Sequence, residues 1–194
     1  KASVEHKAGG ALSSDDVAQK MSYASTLSDT GRYDEALALY EECLQANIEM
    51  GDDESEIVAT AYGRIAFMYG VQKEYAWALE YYRKDLSISL KLLGATHPDV
   101  VAMYSSIAGV HNTQGEYSKA LEYYEKTLLI RSEALGATHL DVAQLYNNIG
   151  TVHYNEGDYC KALEYYEEAL SIKIETHEAS HPSIAVTYSD MANV

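Results

Sequence analysis

Proline and cysteine are almost missing from this chain, with two of each in 194 residues. Two cysteines, Cys43 and Cys160, cannot build a disulfide scaffold, and their scarcity points to a reducing compartment. With so little proline, few positions interrupt a long helix. Cations are scarce as well. Lys and Arg number 14 against 30 Asp and Glu, giving a formal charge of −16. A chain this acidic repels phosphate backbones and anionic lipid surfaces, which argues against nucleic acid and membrane as partners. No apolar run approaches the roughly 18 residues that a spanning helix needs, and the expected location is cytoplasmic. Glycine-rich phosphate loops are lacking too. Phenylalanine and tryptophan occur once each, yet there are 18 tyrosines. Apolar residues make up 47% of the chain, which excludes a disordered acidic tail. The length allows one ordinary domain or a short repeat array, not a large multidomain enzyme.

The tyrosine excess has its cause in internal repetition. Gly31-Arg-Tyr33, Lys73-Glu-Tyr75, Gly115-Glu-Tyr117 and Gly157-Asp-Tyr159 each begin 42 residues after the last, and an Ala-Leu pair follows every one. Residues 97–138 and 139–180 are identical at almost half of their positions. The organisation that follows is an N-terminal extension at 1–12 and four repeats at 13–54, 55–96, 97–138 and 139–180. A fifth repeat starts at 181 and stops at 194. In this register Tyr62, Tyr104, Tyr146 and Tyr188 share one position, and Tyr33, Tyr75, Tyr117 and Tyr159 a second. Tyr40, Tyr82, Tyr124 and Tyr166 share a third, preceded by Tyr81, Tyr123 and Tyr165. An aromatic stripe at helical spacing is packing, with each hydroxyl reaching the wet edge.

Each repeat reads as two helices. Asp99 to Thr113 carries Val100, Met103, Tyr104, Ile107 and Val110 at helical spacing; Gly115 breaks the run. Tyr117 to Leu135 resumes it with Ala120, Leu121, Tyr124, Leu128 and Ile130 on one face. Pro98 and Pro182 suit a first helical turn. No segment alternates with period two, so no strands are expected.

The spacing resembles the tetratricopeptide repeat: Tyr146-x2-Ile149-Gly150-x2-His153 with Ala162-x3-Tyr166, and the same pattern from Tyr104 and from Tyr62. The first repeat is degenerate in its first helix (Lys20, Tyr23, Ala24, Leu27) but keeps Ala36-x3-Tyr40. The 42-residue unit and the string Leu93-Gly-Ala-Thr-His-Pro-Asp-Val100 are similar to the kinesin light chain and nephrocystin-3 type, whose repeats bind cargo peptides. No heptad run of the kind that joins light chains to the motor is present. The resemblance implies an all-α, right-handed superhelical solenoid of antiparallel helix pairs. The chain, which opens on Lys1 without Met, is expected to be a fragment.

Several constellations invite a sharper reading. His177-Glu-Ala-Ser-His181 fits the H-E-x-x-H zinc signature, but it falls in the loop between repeats and Pro182 follows, so it is read as loop sequence, and no metal is expected. His97, His139 and His181 form a ladder suited to helix-start packing and capping. His111 and His153 replace an aromatic ring for ring. Cys43, in register with Thr127 and Ala169, and Cys160 have no histidine partner, so neither is read as a nucleophile. Asp52-Asp-Glu-Ser-Glu56 lacks the spacing and glycine of a calcium loop. Trp77 either anchors a partner or covers a neighbour.

What the resemblance leaves over is a groove lined by the first helices. Its residues would be Thr60, Gly63, Arg64, Phe67 and Gly70, then Ala102, Ser105, Ser106, Gly109 and Asn112, then Gln144, Asn147, Asn148, Thr151 and Asn155. Small and amide side chains leave room for a peptide and can hydrogen-bond its backbone in both senses. Asn147 and Asn148 are the expected backbone binders, Phe67 a pocket wall; alternatively Asn148 ties adjacent helices together. The Lys, Asn and Arg clamp that grips acidic chaperone tails is missing, since Met21, Ser25, Arg64, Ala102 and Ser106 stand there. Arg64 is the one cation in the set. The expected function is therefore a non-catalytic interaction module without cofactor, resembling a cargo or scaffold adaptor, whose partner is a neutral or basic peptide or protein. The alternative is structural: self-association through open solenoid ends.

Overall fold

The computed structural model describes residues 12–176 and 181–194, so His177 of the H-E-x-x-H string and residues 1–11 of the N-terminal extension lie outside the described residues. Nine helices and no strands occur among the described residues: an all-α array of helix pairs. Two compact units divide it, residues 1–92 and 93–194. The first holds α1 (Ser14–Asp29), α2 (Tyr33–Glu49), α3 (Glu56–Val71) and α4 (Tyr75–Leu93, which ends one residue past the division). The second holds α5 (Pro98–Thr113), α6 (Tyr117–Leu135), α7 (Leu140–Glu156), α8 (Tyr159–Thr176) and α9 (Pro182–Ala192).

The starts of α1, α3, α5, α7 and α9 recur with the 42-residue period, each capped by a side chain. Ser13 forms a capping box with Asp16, and Ser55 Oγ accepts from the Val58 N–H. At the next three starts a histidine takes over. The Nδ1 atoms of His97, His139 and His181 accept from the backbone N–H of Asp99, Asp141 and Ser183 at 3.3, 3.1 and 3.3 Å. The histidine ladder is a series of N-caps. Proline at the first turn of α5 and α9 costs nothing, because its missing N–H would have no helical partner.

The turns within pairs recur as well. The N–H groups of Arg32, Glu74, Glu116 and Asp158 reach back to the carbonyls of Leu27, Tyr69, His111 and Tyr154's neighbour His153, each at 2.9 Å. This bond closes a helix only if the residue before the donor is left-handed. Gly31, Gly115 and Gly157 meet that demand at φ 77°, 76° and 91°; in the first unit's second turn Lys73 occupies the position at φ 64°.

The tyrosine rows pack helix on helix. Tyr62–Tyr81, Tyr104–Tyr123 and Tyr146–Tyr165 place ring centroids 5.9, 6.0 and 6.1 Å apart. On the same second-helix rings lie Tyr69 at 5.5 Å, His111 at 5.9 Å and His153 at 5.4 Å, all near parallel. Both histidines thus stand in for a ring and are buried. His111 Nδ1 meets Glu116 Oε2 at 2.5 Å, and His153 Nδ1 lies 3.4 Å from Glu156. Beneath these rows each core is aliphatic around one buried tyrosine: Ala24, Leu27, Ile65 and Ile88 with Tyr40 in the first unit, Ala108, Leu145, Ile149 and Val152 with Tyr124 in the second. Burying such residues supplies about 1.5–3 kcal/mol for each large aliphatic side chain.

Candidate protein-binding surface

With the tyrosines committed to packing, small and amide residues remain on the first helices. In the second unit these are α5, α7 and α9, none of which contains a lysine or arginine. Ser106, Gln144 and Asn155 are exposed; Ser105, Asn112, Asn148 and Thr151 are half-buried. The Asn155 amide donates to Asn112 Oδ1 at 3.1 Å, tying α7 to α5, and Gln144 donates to Asn148 at 3.1 Å along α7. Ser106 Oγ donates to its own helix at Ala102 O. Amides bonded only to each other at a wet surface can exchange those bonds for a peptide backbone at small cost.

Asn147 departs from expectation. It is 5% exposed and faces the interior, where it cannot meet a peptide. Its Oδ1 accepts from Lys173 Nζ at 3.4 Å and from Thr187 Oγ1 at 3.3 Å, while its Nδ2 donates to Asp190 Oδ2 at 3.2 Å. The tying role weighed for Asn148 therefore belongs to its neighbour, which joins α7, α8 and α9. One residue along a helix turns a side chain by about 100°, enough to move it from surface to core. Lys173 completes the cluster, donating to Thr187 Oγ1 at 2.8 Å and Ser183 O at 3.5 Å. Burial pushes the Lys173 ammonium down and the Asp190 carboxyl up, and each partly restores the other.

Beside this cluster, between α7 and α9, lies a cavity of about 170 Å³ lined by Thr151, Tyr154, Asn155, Tyr166, Asp190 and Asn193. Thr151 Oγ1 stands 3.2 Å from the Tyr166 hydroxyl and 3.0 Å from Asn147 O. Of these six, Thr151 and Asn155 belong to the expected set; Tyr154, Tyr166, Asp190 and Asn193 do not. The missed signal was available, since Asp190 stands 42 residues after Asn148 and 84 after Ser106 in the same row.

In the first unit a second cavity, of about 340 Å³, opens between α1 and α3 and is lined by Ala18, Met21, Glu56, Ile57 and Thr60. Thr60 takes part as expected. Phe67 does not line it, although its ring is 47% exposed and available; Met21 and Ile57 supply the apolar wall. Arg64 is exposed. Gly63 faces packing, because a Cβ there would meet Asp85 Oδ2 and that carboxylate would have to shift. That buried carboxylate accepts from Ser89 Oγ at 2.8 Å. A broader depression of about 770 Å³ runs along the outward side of α8, bounded by Tyr146, Lys161, Tyr165 and three glutamates, away from the amide rows.

Other candidates fall into place. Cys43 is buried with its thiol 3.7 Å from Val17 O, and burial pushes that thiol up, away from nucleophilic character. Cys160 is exposed at the start of α8. Trp77 is 51% exposed, with its ring 6.3 Å from Tyr69. No group of three or more His, Cys, Asp or Glu among the described residues is placed to hold a metal ion. No described helix is long and apolar enough to cross a membrane.

Comparison with known proteins agrees with this architecture. A comparison with curated protein sequences gives no match. Among solved structures, BtubC (BKLC) from P. vanneervenii superposes with a TM-score of 0.76 at 24% identity, over 91% of this chain and 70% of that one. A kinesin light chain candidate from Podospora anserina, with nearly identical TPR-like repeats, gives 0.77 at 20% identity over 91% and 84%. MamA gives 0.62 at 19% identity over 83% and 80%. At these identities the likeness concerns the fold. The tetratricopeptide repeat pattern itself matches residues 16–84, 57–133, 99–175 and 141–194 in overlapping blocks. With the caps, turns and ring rows all recurring at one period, and that pattern covering nearly the whole chain, the protein belongs to the tetratricopeptide repeat family.

Proposed function

We propose that the chain is a non-catalytic scaffold module that binds an extended segment of a partner protein along its first helices, in the manner of a kinesin-light-chain-like cargo adaptor. The observation that carries this reading is the amide and hydroxyl row of the second unit: Ser106, Gln144 and Asn155 are exposed, Asn112 and Asn148 half-buried, and together they offer donors and acceptors, with Asn155 lining a side-chain-sized cavity. In the first unit Thr60 lines the α1–α3 cavity, and the exposed Arg64 and Phe67 of the same helix serve the same role. A net charge of −16, and first helices in the second unit without lysine or arginine, favour a neutral or basic segment over an acidic one.

Panning a random dodecapeptide display library on the chain, then measuring the selected peptides by fluorescence anisotropy, tests the reading. Gln144→Ala is expected to weaken them about tenfold, the net worth of a lost hydrogen bond. Glu122→Ala, on the exposed side of α6, should leave affinity unchanged. Loss with Glu122→Ala or Trp77→Ala and none with Gln144→Ala would place binding on the second helices instead.

A further inference from the structure

We infer that the 170 Å³ cavity between α7 and α9 is a receptor for one cationic side chain of the bound segment, an arginine held by Asp190 against the rings of Tyr154 and Tyr166. This rests on the peptide-binding reading above and names its specificity pocket. Three independent features select a cation. Asp190 uses Oδ2 to accept from Asn147, and Oδ1 has no hydrogen-bond partner among the described residues. The cavity wall includes Thr151, Tyr154 and Asn155, which form the last turns of α7, where the helix dipole presents its negative end. Two tyrosine rings stand in the lining, and a guanidinium is the cation that both stacks on an aromatic face and offers a donor fork to a carboxylate.

The opposing charge is Lys173. Its ammonium lies behind Asn147, with its donors directed to Thr187, Asn147 and Ser183, on the interior side of the cluster. Asn147 separates the two ions, accepting from Lys173 through Oδ1 and donating to Asp190 through Nδ2. The lysine therefore offsets part of the cost of burying the Asp190 carboxylate without lining the cavity itself. The carboxylate is held in position before a ligand arrives, so little ordering cost remains for binding. The remaining lining groups, the Asn155 and Asn193 carbonyl oxygens and the Thr151 hydroxyl, can accept the guanidinium donors that Asp190 does not satisfy.

Three heptapeptides serve as probes: acetyl-Gly-Ser-Gly-Xaa-Gly-Ser-Gly-amide with Xaa arginine, lysine or citrulline, citrulline being the uncharged near-isostere. Each is titrated into the isotope-labelled chain and followed by backbone amide shifts. The arginine peptide should shift the amides of Asn155, Asp190 and Asn193 and bind about tenfold more tightly than the citrulline peptide, with lysine between them. Asp190→Asn should remove the arginine advantage. Equal binding of arginine and citrulline, or an arginine preference that survives Asp190→Asn in a folded protein, overturns the pocket. If Asp190→Asn unfolds the second unit, Asn193→Asp decides: a second carboxylate at the rim should tighten the arginine peptide at least threefold, and no change overturns the assignment. The selected dodecapeptides keep the two readings apart. If they still lose affinity with Gln144→Ala while showing no basic residue and no response to Asp190→Asn, the groove stands and the pocket falls.

Discussion

Lys73 should be a better glycine than a lysine. It occupies the left-handed position of the α3–α4 turn at φ 64°, where the equivalent turns carry Gly31, Gly115 and Gly157. A side chain in that region brings Cβ against the following carbonyl, at a cost of roughly 1–2 kcal/mol. Replacing it with glycine relieves that strain but gives the unfolded chain more freedom, which returns about 0.4–1 kcal/mol. Lys73 is exposed and has no ion pair among the described residues, so no contact is lost. The turn bonds are already made, Lys73 N–H to Gly70 O at 3.1 Å and Glu74 N–H to Tyr69 O at 2.9 Å, and glycine keeps both. Lys73→Gly should therefore stabilise the first unit by about 0.5–1 kcal/mol. With a urea slope of about 2 kcal/mol/M, the midpoint rises by about 0.3–0.5 M. Far-ultraviolet circular dichroism against urea reads this directly, and Gly115→Lys should show a loss of similar size in the second unit. An unchanged or lower midpoint for Lys73→Gly, with the slope preserved, would show that this turn stores no left-handed strain.

Three further substitutions probe packing, capping and the buried ions. Gly150→Ala would bring a Cβ within 2.7 Å of Tyr166 Cε1 and 3.2 Å of Ala162 O, and should cost about 1–3 kcal/mol in urea unfolding, whereas Gly70→Ala meets open space within its helix and should gain up to about 1 kcal/mol. His139→Ala removes the α7 N-cap acceptor and should cost about 1 kcal/mol, with His139→Ser restoring it; equal stability of all three would deny the cap. Lys173 carries a depressed folded pKa, so its contribution to stability is present above its unfolded value and lost as pH falls through the folded one. The stability of the parent relative to Lys173→Gln should therefore improve between pH 7 and 10.5. The buried tyrosines, which titrate in the same window, cancel in that difference, and a difference that stays flat with pH would mean the ammonium is not desolvated.

Much of this molecule was legible because it is periodic. The glycine-tyrosine turns, the histidine ladder and the tyrosine rows each report on a local geometry that recurs every 42 residues, and a local rule read once holds wherever the register holds. His111 and His153 could be assigned as rings because Tyr69 stands in their row. What escaped was non-local and specific to one place. Asn147 belongs by register to the same row as Ser105 and Gly63, and nothing in that row announces that Lys173 and Asp190 draw it inward. The outcome depends on two helices meeting a third, and on a buried charge that must find partners wherever they lie. Lys173 has Arg131, Ser89 and Asn47 at its own position in the other units of the period. Arg131 pairs with Asp141, Ser89 Oγ donates to Asp85, and Asn47 donates to its own helix at Cys43 O. One polar row, four solutions: the period fixes that a polar group sits there, and the neighbours decide what it does. The period places Asp190 in the row of Asn148 and Ser106, but the cavity it lines sits beside the Lys173 solution, and that neighbourhood has no counterpart in the other repeats. A function carried by such a place belongs to this chain and not to the repeat, and the arginine probes test it there.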